Sequence, residues 1–296
     1  MNSIDTNNGS RQKAEGASVQ QATGKLRELQ LVELELMEWF AGFCSRHNLR
    51  YYLLGGTLLG AVRNGGFIPW DDDVDICMPR PDYVRFLETV EEELVGTDMR
   101  IESIYHDRNC RQGMAKITTS RMQLISRSAS IEHIEDAWID IIPLDGFPEG
   151  KLASSIHKAR LMWWKVMDAT TEFDHVVDVK RDRGPIGNLA VKALGVFCKV
   201  VRPYGDDSNR VFMKTERALQ RFRYDESPNV INLYAARGFK EIFPVETFDG
   251  GKDVQFENHT FTAPADIHTT LCTIYDENYM TPPPESERNY HNSEVL

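Results

Sequence analysis

Four carboxylates, Asp71, Asp72, Asp73 and Asp75, fall within five consecutive positions, between Trp70 and the apolar residues Val74 and Ile76. Nothing else in the chain constrains its fold as tightly. Like charges this close repel, and withdrawing them from water adds a desolvation cost. A fold that buries Val74 and Ile76 must therefore offset the charge beside them. Just upstream stands a small-residue segment ending in a cation, Gly55-Gly56-Thr57-Leu58-Leu59-Gly60-Ala61-Val62-Arg63. A glycine turn able to hold phosphate beside a carboxylate cluster is what metal-assisted chemistry on a phosphate ester requires, so an enzyme is the leading reading.

Local pattern divides the acids. Val74–Met78 reads as a strand with Asp73 at its start, which turns Val74 and Ile76 to the core. Asp73 and Asp75 then share the other face, about 7 Å apart along the chain. Asp140 interrupts a second strand pattern, Trp138-Ile139-Asp140-Ile141-Ile142, and a buried acid without a local partner should face a cation or a site. Together Asp73, Asp75 and Asp140 form a candidate three-carboxylate site, whose hard oxygens favour Mg2+ or Mn2+. A calcium loop of the EF-hand type fails, because Ile76 stands at the turn glycine and Asp82 at the closing glutamate. The plain alternatives are a solvated Asp run and an Asp140 that faces water.

Gly55 and Gly56, after a strand at Tyr51–Leu54, can bring backbone N–H groups close to a phosphate, with Thr57 capping a short helix through Arg63. No P-loop or dinucleotide fingerprint is present. Arg63 and Lys116 are candidate phosphate cations, with solvated surface charge as the alternative for each. His106 with Cys110, and His268 with Cys272, have zinc-compatible spacing but no second pair.

Leu26, Leu29, Val32, Leu36, Trp39, Phe40 and Phe43 predict an amphipathic helix ending near His47, and Pro81 opens another through about Leu94. Strand patterns follow at Met99–Tyr105, Met114–Thr119, Leu124–Ser128 and Ala137–Asp145. Helical patterns then cover about 152–172, 186–201 and 208–222. The expected fold is α+β, a sheet core with a mostly helical C-terminal half. Residues 1–22 read as a disordered tail without a signal peptide, 23–150 as the catalytic core, and 151–296 as a helical region completing the same domain. With 45 acidic against 34 basic residues the net charge is -11, and no basic stripe appears, which argues against nucleic acid as a partner. Five scattered cysteines predict free thiols in a reducing compartment. No apolar run is long enough to span a bilayer, so a cytoplasmic protein is expected, with association at the inner face of a membrane left open. Leu161-Met162-Trp163-Trp164, with Lys158, Arg160 and Lys165, could lie on such a surface, though helix core is the plainer use. Oligomeric state is unread.

The segment from Gly55 to Arg63, followed by Gly66-Phe67-Ile68-Pro69-Trp70-Asp71-Asp72-Asp73-Val74-Asp75, resembles the signature of the LicD family. The likeness continues in Trp138–Asp145, in Phe256-Glu257 and Pro264, and in Tyr275–Pro283, with Arg288 and His291 beyond. It implies a nucleotidyltransferase core of the polymerase-beta type. It further implies magnesium on Asp73 and Asp75 with Asp140 as third carboxylate, and a nucleotide diphosphate held by Gly55, Gly56 and Thr57. Members include bacterial enzymes that move phosphocholine from CDP-choline to a sugar hydroxyl, and fukutin-type ribitol-phosphate transferases. The expected partners are thus a CDP-linked donor and a glycan or lipid-linked glycan acceptor, as in lipopolysaccharide, teichoic acid or capsule modification. Asp140 or Asp71 would accept the proton. Nucleotidyl transfer from an NTP and a silent cation- or glycan-binding module are the alternatives. Two positions depart from the pattern: Asn64 replaces a His, and Asp276-Glu277-Asn278 replaces a Gly-Asp pair. No aromatic box can be nominated from spacing; Trp138, Trp163, Trp164 and Tyr204 are candidates only.

Overall fold

The computed structural model describes residues 21–108, 110–128, 131–171, 195–196, 208–235, 237–288 and 293–296. The tail expected over 1–22, the helix expected over 186–201, Tyr204 and His291 lie wholly or largely outside these. Helix α1 (Lys25–His47) follows the first apolar stripe, with Leu29, Leu36, Met37, Phe40 and Phe43 fully buried. It ends at Asn48, left-handed at φ 51°, and Arg46 and His47 in its last turn suit the negative end of the dipole. Strand β1 (Tyr52–Leu53), helix α2 (Gly55–Asn64), strand β2 (Asp75–Pro79) and helix α3 (Arg80–Leu94) follow. β3 (Met99–Glu102) comes next, then β4 (Ala115–Ser128) and β5 (Ile131–Phe147). The two strands expected at 114–119 and 124–128 are one, with a register irregularity between Thr119 and Gln123.

Helices α4 (Lys151–Thr171) and α5 (Ser208–Leu219) match expectation, but among the described residues the rest of the second half is not mostly helical. It holds β6 (Asn229–Ile231), β7 (Ile242–Pro244), β8 (Lys252–Phe256), β9 (His259–Ala263), α6 (Ile267–Tyr275) and β10 (Ser293–Val295). β6, β7 and β10 span three residues each, too short for alternation to register in the sequence. The described residues form a mixed eight-stranded sheet in the order β1-β2-β5-β4-β10, with β3 beside β4, β6 beside β5 and β7 beside β6. Among the described strands only β2 and β5 pair in parallel. β8 and β9 form a separate hairpin.

Strand alternation builds a core on each face of the sheet. Ile76, Met78, Ile139 and Ile141 pack with Phe40, Phe43 and Phe86 of α1 and α3. Cys77, Ile142 and Leu144 pack the other way, with Phe243, Phe248 and Ile274. Asp75 and Asp140 fall on this second face. The two halves of the chain are joined by a buried ion network. Arg80 of α3 forks onto Asp145 of β5 at 2.6 and 2.7 Å and reaches Glu216 of α5 at 3.0 Å. Cys44, Cys77, Cys110 and Cys272 are free thiols. No helix among the described residues is long and apolar enough to cross a membrane.

Candidate active site

β2 and β5 place Asp75 directly opposite Asp140, and β4 places Lys116 opposite Asp140, so the three form one row across the sheet. Adjacent strands lie about 4.8 Å apart, and residues in register share a face. The sequence reading set Asp73 in the same strand, but β2 begins at Asp75 and Asp73 belongs to the loop before it. That loop is held from α1, where Gln30 Nε2 donates to the carbonyls of Asp71 at 2.9 Å and Ile68 at 3.2 Å. Burial, then Asp73 and Asp140, pushes the Asp75 carboxyl well above its usual range. Asp140 is pushed up to about 6 by burial; Lys116 pulls it down, and Asp73 pushes it further up. Its Oδ2 accepts from Trp138 Nε1 at 3.2 Å, whereas Oδ1 is buried with no hydrogen-bond partner.

The glycine pair makes room for this charge. Helix α2 already begins at Gly55, with Leu54 flanking it and no side-chain cap. Gly55 has φ +53°, and a Cβ there would lie 2.3 Å from Asp75 Oδ2; at Gly56 it would lie 2.6 Å from Asp71 Oδ2. The carboxylates therefore press against the positive end of α2, a position only glycine leaves open. Thr57 does not cap the helix. It lies inside the first turn, and its Oγ1 accepts the Asp75 N–H at 2.9 Å, pinning β2 to α2.

These residues form one wall of a cavity of about 640 Å³, which Gly55, Gly56, Arg63, Asp71, Asp73, Asp75 and Asp140 all line. The far wall comes from 232–283 and includes Tyr234, Arg237, Glu241, Tyr275 and Tyr279. Arg63 donates to the Tyr279 carbonyl and to Asn64 Oδ1, both at 3.2 Å, so the Asn at the departing position orients the cation beside it. Burial lowers the Arg63 pKa. The Arg237 N–H donates to Glu241 Oε1 at 3.2 Å, and Asn232 Nδ2 donates to Oε2 at 3.1 Å. The Tyr275 phenol is pushed up by burial, then by Asp75 and Asp71.

Lys116 lines a neighbouring cleft instead, its ammonium 4.1 Å from the centre of the Trp138 ring. Asp72 is buried and does not line the cavity. Trp163 is exposed on α4, and Trp164 packs against the core around Phe147. A larger cleft of about 790 Å³, lined by Arg108, Arg210, Lys214 and Arg217, contains none of the aspartates. Trp70 carries two cations, Arg288 at 4.1 Å and Arg63 at 5.9 Å from its ring centre.

The sequence reading passed over Glu33 of α1. It is buried, its Oε2 has no hydrogen-bond partner, and burial, then Asp73, Asp72 and Asp71, pushes its carboxyl well up. Asp73, Asp75 and Asp140 suit a hard divalent cation in donor type, and the orphaned Asp140 Oδ1 offers it a lone pair. As they stand, no three His, Cys, Asp or Glu side chains among the described residues enclose a metal position.

The family profile described as LicD/FKTN/FKRP, nucleotidyltransferase domain, matches residues 48–142. Over 283 residues the chain is 30% identical to the lipopolysaccharide cholinephosphotransferase LicD of Haemophilus influenzae, covering 91% of this chain and 97% of that protein. The chain belongs to the LicD family. It is a transferase of the LicD/FKRP kind. A shorter likeness, 48% identity over 42 residues, connects it with the ribitol 5-phosphate transferase FKRP of mouse and human, covering 14% of this chain and 8% of those proteins. The profile takes in the glycine pair and all three acids of the LicD-type wall, whereas Arg237 and the three tyrosines lie outside it.

Proposed function

We propose that this LicD-family protein moves phosphocholine from CDP-choline onto a hydroxyl of a cell-surface glycan or its lipid-linked precursor, with magnesium as cofactor on a nucleotidyltransferase-type core. One observation carries the reading. A single cavity presents crowded carboxylates, Asp75 and Asp140 with raised pKa among them, beside Arg63 on one side, and Arg237 with tyrosine rings on the other. Asp73, Asp75 and Asp140 would hold the cation, which when bound neutralises phosphoryl oxygens and makes the donor electrophilic. Arg63 and Arg237 hold the outer phosphate oxygens, and the N-terminal turn of α2 at Gly55 and Gly56 favours anionic groups. Tyr234, Tyr275 and Tyr279 offer aromatic faces to a trimethylammonium group.

In the transfer, the acceptor oxygen forms a bond to the phosphorus of phosphocholine as the bond from that phosphorus to the CMP oxygen breaks. The hydroxyl proton passes to a carboxylate. Asp140 and Asp71, the two bases expected, both line the cavity. The closely similar length and the name of the Haemophilus relative support a lipopolysaccharide-type acceptor. The decisive experiment follows CMP release and choline transfer from CDP-choline to a glycan acceptor, with and without Mg2+. CDP-ribitol, CDP-glycerol and NTPs serve as competing donors. Magnesium-dependent CMP release that Asp73→Ala and Asp75→Ala each abolish is expected. Full activity in those variants, or turnover of NTPs with pyrophosphate release, overturns the proposal.

A further inference from the structure

Helix α4 is apolar on two sides, and among the described residues only one of them is covered. Its inner side places His157, Leu161 and Met167 in the protein, against Phe147 and α5. On the outer side Leu152, Ile156, Met162, Trp163 and Val166 are between 43 and 76% exposed. With Ala159 they recur at helical spacing and make a continuous apolar stripe. Lys151, Lys158 and Lys165 follow one another every seven residues along one edge of this stripe, and Arg160 stands on the other edge. None of the four has an ion-pair partner among the described residues. The helix's acid, Asp168, is bonded to Arg111.

We propose that the outer face of α4 is a membrane-docking surface that lies in the headgroup region of an anionic bilayer. Charge complementarity selects this occupant. A chain of net charge -11 is repelled by an anionic surface unless cations are gathered at the point of contact, and α4 gathers them around its apolar stripe. The 21-residue helix is about 30 Å long, with too many charges to span a bilayer, and its edges suit an in-plane orientation in which the lysine stems reach up to the headgroups. Exposed Trp163 and Met162 belong in that boundary layer. A second copy fits poorly. Antiparallel packing through this face would set lysine edge against lysine edge, and parallel packing would set it against Arg160; like charges meet either way.

The surface stands independently of the reaction proposed above, because vesicle binding requires no turnover. The test is co-sedimentation of the full chain with vesicles of phosphatidylcholine alone and of phosphatidylcholine mixed equally with phosphatidylglycerol. Binding to the mixed vesicles, weakened by salt, is expected, with little binding to the neutral ones. Lys151→Glu with Lys165→Glu should lower partitioning about 25-fold or more, at about fivefold per lysine. Ile156→Ser with Trp163→Ser should lower it about tenfold or more, while circular dichroism and the melting temperature stay unchanged, since these side chains are exposed. Native partitioning in either double variant overturns the proposal, as does a native chain that ignores anionic vesicles. A dimer in light scattering that Ile156→Ser with Trp163→Ser converts to monomer also overturns it, assigning the face to a second copy.

Discussion

Asp140 and Asp145 lie five residues apart on β5, and the charge around each is settled in opposite ways. Around Asp145 every buried charge has a partner. Arg80 bridges Asp145 and Glu216, and the hydroxyls of Tyr105 and Tyr234 donate to Glu216 at 2.7 and 2.5 Å. Burial alone would lower the Arg80 pKa, but Asp145 and Glu216 hold it well above its usual value. Around Asp140 acids crowd together, with Lys116 across the sheet as a partial offset. Burial raises the carboxyl pKa in both regions, but Asp75, Asp140 and Glu33 have no ion pair among the described residues, whereas Asp145 has Arg80. The first region spends its charge on joining α3, β5 and α5. The second leaves charge unsatisfied at a cavity wall, which lowers stability and is characteristic of a site that awaits a ligand.

Four experiments can break or sharpen this contrast. The largest effect is expected at the balanced region. Asp145→Ala leaves the Arg80 guanidinium buried without its main partner and should cost about 3–5 kcal/mol in urea denaturation. A change below about 1 kcal/mol would erase the distinction. Gly55→Ala should cost about 1–3 kcal/mol, because its φ is positive and its methyl would overlap Asp75 Oδ2. Asp75→Asn should act with the opposite sign. Measured without divalent ions, its stability should hold or rise by up to about 1–2 kcal/mol, since a repelling charge is removed from a buried site. Mg2+ is expected to raise the melting temperature of the native chain and to leave that of this variant unchanged. A destabilised Asp75→Asn would mean that the acids are structural.

The smallest effects are in pH dependence, where two buried groups pull against each other. Asp140 rises to about 6 in the fold from about 3.9 unfolded, so the folded state holds the extra proton. Its stabilising contribution is complete below about pH 4 and is lost as pH rises through about 6. His157, buried between Phe147 and Phe222, is lowered to about 4, by burial first and then by Arg160. Here the unfolded state binds the proton, so stability is complete above about 6.5 and is lost as pH falls towards 4. Metal-free stability curves between pH 4 and 7 should therefore steepen upward in Asp140→Asn and flatten in His157→Phe. Parallel curves for both variants would refute the assignment.

Much of the acidic wall was legible in the sequence. Crowded aspartates next to a glycine pair have few physical explanations, and Asp140 stood out as a charge inside an apolar strand. Helices α1 and α3 and strand β5 were legible because long periodic segments bury a regular face. The far wall was not. Tyr234 and Arg237 come from the loop between β6 and β7 and Tyr275 from the end of a short helix, where no period exists, and only the sheet topology brings them opposite the acids. Glu33 did leave a signal: it stands where the apolar stripe of Leu29, Leu36, Met37 and Phe40 would place a hydrophobic residue. An acid on the inner stripe of a helix has to be met by something inside the fold.

The cavity's two walls also have separate origins along the chain. The wall with the glycines and carboxylates lies within 48–142, the stretch that matches the family profile, while the facing wall comes from 232–283. In the reaction proposed above, transferring the phosphoryl group and choosing the headgroup it carries fall to different stretches of sequence. Mutations in the second stretch can reshape the cavity while the carboxylates keep their places.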